Sequence, residues 1–341
     1  MTVATTGIVL VVVLALAFDL SNGFHDASNA IAAPVATGAM RPGQAVTVSA
    51  VFNLLGPILV GTAVADTVGG ILAVDPALMV GVLACSLLAA LGWNLATWWW
   101  GLPSSSSHAL VGAMVGAGLV TAGTGAVVWG GFDGLRPSGV VGVLLALAIS
   151  PLLGAGVGGL GEVLARRALR RARRGVERGV RRGEWVTAAA LAFSHGANDA
   201  QKTMGLITAA LLAVGAISTF AVPLWVKVAC AAALTVGSAL GGWRIVRTIG
   251  RGIYRLRPLD GLVSQAASAG VIGGAALLGA PVSTTHVVAS SVVGVGAARR
   301  RRHVRWPVVQ EILAAWLVTM PACALAAGLL AWVWQAVTAG G

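Results

Sequence analysis

Two aspartates, Asp26 and Asp199, stand inside long apolar runs, each among other polar side chains. Four of the five histidines (His25, His108, His195 and His286) fall in or beside the same few segments, as does Lys202, one of only two lysines. A centred Asp or Lys costs roughly 2.5–3.5 kcal/mol on insertion scales, so residues of this kind mark ion pathways, proton relays or substrate sites. Within Asp19-Leu-Ser-Asn-Gly-Phe-His-Asp-Ala-Ser-Asn29 and Phe193-Ser-His-Gly-Ala-Asn-Asp-Ala-Gln-Lys202, glycine sits beside the polar groups. Glycine loosens a helix, and irregular backbone is tolerated in a membrane where it lines a cavity, so both segments are expected to be broken helices. Asp26, Asn29, Asn198 and Asp199 offer oxygen ligands for a cation or a carboxyl that binds a proton. With His25 and His195 they form the expected coupling set.

Two further segments suit an oxyanion: Pro103-Ser-Ser-Ser-Ser-His108 and Pro281-Val-Ser-Thr-Thr-His286. Proline is expected to end the preceding helix. The hydroxyls of Ser104, Ser105, Ser106 and Ser107, and of Ser283, Thr284 and Thr285, would then cap the next one, whose free N–H groups favour negative charge. A serine hydrolase is disfavoured. Ser and His adjacent on a cap rarely align as nucleophile and base, and no G-x-S-x-G elbow is present.

The elements that must position these groups are membrane helices. Of 341 residues 57% are hydrophobic and 10% charged, with mean hydropathy +0.88. Soluble domains carry about 25% charged residues. Runs such as Ala77 to Trp100 and Val308 to Val337 exceed the roughly 20 apolar residues that a span needs. The first run, Val3 to Phe18, lacks the basic start of a signal peptide, because no Lys or Arg precedes Arg41, and is read as a retained helix. Cys85, Cys230 and Cys323 lie isolated in apolar runs and read as packing residues. No metal site is read from them.

A formal net charge of +12 would suit a nucleic-acid binder, but its distribution argues otherwise. Nine arginines fall between Arg166 and Arg182, five between Arg244 and Arg257, and five between Arg299 and Arg305. All three clusters connect apolar runs, where the positive-inside rule puts them in the cytoplasm. The trace is self-consistent with both termini outside and loop 166–183 inside. Residues 3–38 cross inward, 45–65 outward and 138–164 inward. The second half starts inside, exits near Ile217, returns along 220–242 and leaves along 306–335. Residues 77–122 start and end outside, and 259–298 start and end inside. Each of these holds two apolar stretches.

The halves share three matches in one order. Gly23-Phe-His-Asp26 aligns with Gly196-Ala-Asn-Asp199, Val60-Gly-Thr-Ala63 with Val236-Gly-Ser-Ala239, and the two proline segments with each other. Self-similarity with opposite starting sides is the pattern of an inverted-repeat transporter, whose site lies where the copies meet. The expected fold is therefore all-α and polytopic. It comprises a first repeat (1–165), a basic loop (166–184) and a second, inverted repeat (185–341). Broken helices and two re-entrant hairpins would meet at the midplane.

Gly-Phe-His-Asp-Ala-Ser-Asn-Ala (23–30) and Ser-His-Gly-Ala-Asn-Asp-Ala-Gln-Lys (194–202), each followed by a Pro-x-Ser-[Ser/Thr]-[Ser/Thr]-His segment, closely resemble the PiT family of inorganic phosphate transporters. The resemblance spans both halves. It implies a plasma-membrane symporter that imports phosphate, works as a homodimer, and needs no cofactor and no nucleic acid. Ser104–Ser107, Ser283, Thr284 and Thr285, with Gln201 and Lys202, would hold phosphate. Sodium-coupled members tend to carry Gly-Ala-Asn-Asp-Val-Ala-Asn in both halves; here His25 and Lys202 replace motif asparagines. Those departures look like the bacterial low-affinity branch, which is proton-coupled and takes phosphate as a neutral complex with a divalent metal. A sodium-coupled phosphate symporter and a sulfate permease on the same scaffold are the alternatives.

Overall fold

The computed structural model describes residues 3–133, 136–172 and 175–339. Arg173 and Arg174 of the basic loop lie outside them. The first half holds α1 (Val3–Ala36), α2 (Pro42–Leu59), α3 (Ala63–Gly69), α4 (Pro76–Trp100), α5 (Ser106–Ala122) and α6 (Gly139–Ala168). The second holds α7 (Val176–Ala213), α8 (Leu224–Leu240), α9 (Trp243–Arg247), α10 (Pro258–Leu277), α11 (Thr284–Arg300) and α12 (Trp306–Ala339). Among the described residues a short antiparallel pair, β1 (Phe132–Asp133) with β2 (Arg136–Pro137), lies between α5 and α6, and a single β-bridge joins Leu72 to Val127.

Among the described residues, five helices are long and apolar enough to span a membrane: α1, α2, α4, α6 and α12. A sixth span is available if α8 and the segment after it, bent by 59°, count as one. The protein is a multi-pass membrane protein. Helix α7 has 38 residues but is not among the five, because arginines occupy its start and the polar motif its middle.

Packing partners exchange between the halves. Helix α1 runs along α8 and α7 along α2; α5 packs on α12 and α11 on α6; α4 pairs with α5 and α10 with α11. The motif glycines allow close backbone approach in two of these pairs. A Cβ on Gly23 of α1 would lie 2.2 Å from the Leu234 carbonyl oxygen of α8, and one on Gly196 of α7 would lie 2.4 Å from that of Asn53 in α2.

This use of glycine corrects the expectation of broken helices at the two motifs. Helices α1 and α7 run unbroken through Asp19–Asn29 and Phe193–Lys202. The motif glycines serve backbone contact instead, and the polar side chains reach the interior without unwinding. The breaks lie between α2 and α3, at Val60–Thr62, and between α8 and α9, at Gly241–Gly242. The Val-Gly-[Thr/Ser]-Ala repeat overlaps the first break (60–63) and ends just before the second (236–239). Proline does not end the helices before the tips either. Gly101, at φ 68°, caps α4, and Gly279, at φ 70°, follows α10. Only glycine enters that left-handed conformation cheaply, and proline follows two residues later.

Candidate functional site

Helices α5 and α11 begin at the two tips, and their N-caps follow the sequence. Ser105 Oγ accepts from the His108 amide at 3.1 Å, and Ser283 Oγ from the His286 amide at 3.2 Å. With those two hydroxyls turned to the helix ends, the hydroxyls of Ser106, Thr284 and Thr285 meet Asp26 of α1, and that of Thr284 also meets Asp199 of α7; both carboxylates are buried.

Thr284 Oγ1 lies 3.0 Å from Asp199 Oδ2 and 3.4 Å from Asp26 Oδ2, within donating distance of either carboxylate. Ser106 Oγ is 3.5 Å from Asp26 Oδ2, and Thr285 donates to Asp26 Oδ1 at 2.9 Å while accepting from Asn29 Nδ2 at 3.2 Å. Lys202 Nζ donates to three oxygens: Asp199 Oδ1 at 2.5 Å, Ser107 Oγ at 2.6 Å and the Val282 carbonyl at 3.0 Å. The one ammonium thus joins a motif carboxylate to both tips.

The imidazoles serve Asp26 and Asp199 as well. His25 Nδ1 lies 2.7 Å from Asp26 Oδ1, and its Nε2 faces Thr97 Oγ1 and Ser104 Oγ at 3.2 and 3.3 Å. His195 Nε2 lies 3.1 Å from Asp199 Oδ2 and 4.0 Å from Asp26 Oδ2, and its Nδ1 is 3.0 Å from Asn53 Oδ1. Ligating atoms of Asp26, His195 and Asp199 all fall within 4.8 Å of one another, a spacing that fits one small cation. Two carboxylates this close are held together only when a proton or cation sits with them.

The contacts obey the same exchange as the helices. With an offset of 173 in the motifs and 178 at the tips, Asn22–Asp199 corresponds to His195–Asp26, and Asn29–Thr285 to Lys202–Ser107. His25–Ser104 likewise corresponds to Asn198–Val282. Asp19–Thr203, Asn22–Asp199 and Asp26–His195 form successive rungs, so α1 and α7 run in opposite directions through the site.

Besides the capping Ser105 and Ser283, two further expected ligands stand apart from this centre. Asn198 braces the second tip, donating to the Ala280 carbonyl and accepting from the Val282 amide. Gln201 accepts from the Val64 amide at 2.9 Å and so caps the start of α3 at the break after α2. Residues that the sequence did not single out hold the site in place. Asn22 reaches Asp199, Thr97 orients His25, and Asn53 bridges His195 to Ser238 of α8. Behind the tips, His286 stacks on Trp316 with ring centroids 3.6 Å apart and on His108 at 4.6 Å, which locks α5, α11 and α12 together.

Residues 22–327 match the model of the phosphate transporter family. A Mycobacterium bovis protein named "Probable low-affinity inorganic phosphate transporter" is 44% identical over 322 residues, 93% of this chain and 75% of its own length. A Rhizobium meliloti protein of the same name is 41% identical over 339 residues, 96% of each chain. Among solved structures, one named "The sodium-dependent phosphate transporter" has a TM-score of 0.86 at 24% identity, over 97% of this chain and 100% of that one. At that identity the likeness is one of fold.

Proposed function

Because the chain belongs to the phosphate transporter family, we propose that it is a symporter that imports inorganic phosphate together with protons. The charge balance at the site carries this reading. Asp199 has a permanent counter-ion in Lys202, whereas the basic groups beside Asp26 are His25 and His195, which carry charge only when protonated. The second carboxylate is therefore neutralised by a titratable partner, by its own proton, or by a cation that arrives with the substrate.

Lys202 also bears on the coupling ion. A carboxylate, a hydroxyl and a backbone carbonyl surround its ammonium, and such oxygens equally serve an alkali-metal ion. In our reading a fixed cation occupies the place of a mobile sodium, which leaves protons as the coupling ion. The cluster of Asp26, His195 and Asp199 would accept the divalent metal of a neutral metal–phosphate complex. The exchanged contacts and opposed rungs support an inverted repeat, with the site at the junction of the copies. The basic loop then faces the cytoplasm.

The pair of carboxylates also favours phosphate over sulfate. Phosphate still carries protons near neutral pH and donates them to a carboxylate; sulfate is fully ionised and presents only acceptors. An ionised carboxylate is itself acceptor-only, so it repels sulfate and receives a hydrogen bond from protonated phosphate. In proteoliposomes, a large excess of sulfate is expected to leave uptake of labelled phosphate unchanged. Competition by sulfate, or its uptake at a comparable rate, would favour the sulfate-permease reading instead.

A further inference from the structure

Asp19 forms the outermost of the rungs described above, away from the paired carboxylates, and is fully buried on α1. Residues 19, 22, 26 and 29 follow the spacing of one helix face, so Asp19 heads a polar column that continues through Asn22 to Asp26 and Asn29. Its Oδ1 accepts from Thr203 Oγ1 of α7 at 2.5 Å, and its Oδ2 has no hydrogen-bond partner. The other groups that face it are the Cys230 thiol of α8 and the charges of Asp199 and Lys202 on α7. All three donors of Lys202 are already directed to Asp199, Ser107 and Val282. Among the described residues, no Lys, Arg or His forms an ion pair with Asp19.

An ionised carboxylate buried with one hydroxyl donor, a weakly donating thiol beside it and no ion-pair partner is costly, and in practice such a group takes up a proton. The unmatched Oδ2 is where that proton goes. A static structural acid needs no free oxygen here, because an amide would accept equally well from Thr203. A carboxyl that must change state does need one. The neighbouring rung, Asn22 to Asp199, continues the column to the paired carboxylates.

We propose that Asp19 is a proton-binding group of the transport cycle: it takes up the coupling proton one rung before the Asp26–Asp199 centre, and its protonation is required for net, gradient-driven uptake. This rests on the proton-coupled reading above. The step is a proton transfer from water to Asp19 Oδ2 and its release at the other end of the cycle, with no bond other than O–H formed or broken.

Asp19→Asn mimics the protonated acid and can still accept from Thr203. Reconstituted in proteoliposomes, it is expected to retain phosphate–phosphate exchange in the absence of gradients and to lose accumulation driven by a proton gradient. Asp19→Glu is expected to keep that accumulation with a displaced pH profile, and Thr203→Val to keep it with the wild-type profile. If Asp19→Asn accumulates phosphate with the wild-type pH profile, the proposal is wrong. Loss of exchange along with accumulation in Asp19→Asn, or loss of coupling in Thr203→Val, would make the Asp19–Thr203 bond structural and overturn it too. Phosphate-linked proton uptake by the parent protein is measured in the same vesicles. Its absence would overturn the proton-coupled reading, and this one with it, whereas failure of the Asp19 variants alone overturns only the role of Asp19.

Discussion

Replacing Lys202 with methionine is expected to abolish phosphate uptake and lower the stability of the protein by about 3–5 kcal/mol, the usual cost of removing one partner from a buried ion pair. The ammonium is 3% exposed and makes three hydrogen bonds, so methionine leaves the Asp199 carboxylate and the Val282 carbonyl facing an apolar chain. Most of the penalty comes from the Asp199 carboxylate, which loses its permanent counter-charge and keeps only His195, Thr284 and Asn22 beside it. Adding Asp199→Asn should therefore restore much of the stability while leaving uptake dead. Thermal unfolding in detergent reads the first effect and vesicle uptake the second. A Lys202→Met protein as stable as its parent would mean that the ion pair does not hold the tips. A stable and active one would remove Lys202 from the substrate site altogether.

Thr284→Val is expected to leave the fold intact and raise the phosphate concentration for half-maximal uptake. The two side chains are nearly isosteric, so the change removes one hydroxyl that lies between Asp26 and Asp199. A hydrogen bond to a charged group is worth about 1.5–3 kcal/mol, which corresponds to roughly 10- to 150-fold in affinity. Ser106→Ala should act in the same direction but more weakly, because Ser106 Oγ reaches only Asp26, at 3.5 Å. Unchanged phosphate dependence in both variants would reduce the tips to helix caps.

Much of this site was legible in the sequence because polar residues are rare in apolar runs. Asp26, Asp199, Lys202 and the tip hydroxyls stood out for that reason, and the structure brings them together. The three-residue spacing of Asp199 and Lys202 also pointed to their pairing, since such residues share a helix face. The local backbone was read less well. Glycine within a polar segment signals either a break or a close helix contact, and Gly23 and Gly196 serve contact. Which use applies depends on Leu234 and Asn53, far away in the chain. The supporting residues were hidden for the same reason. Thr97 lies inside one apolar run, just before Trp98–Trp100, and Asn53 sits alone in another, so nothing local marks them as partners of His25 and His195. Asp19 had a signal that went unused, its seven-residue spacing from Asp26 along one helix face. Hydropathy alone does not pick out α7 as a span, because arginines occupy its start and the polar motif its middle.

The balance of charge around Asp26 and Asp199 makes one claim above the others: a resident ammonium replaces sodium, and protons drive uptake. The direct measurement is accumulation of labelled phosphate in proteoliposomes under an imposed inward proton gradient, with choline in place of all sodium, compared with an inward sodium gradient at equal pH on both sides. Accumulation above equilibrium under the proton gradient alone, with no stimulation by sodium, is the predicted result. Accumulation that requires the sodium gradient would contradict the account and return Lys202 to a purely structural role.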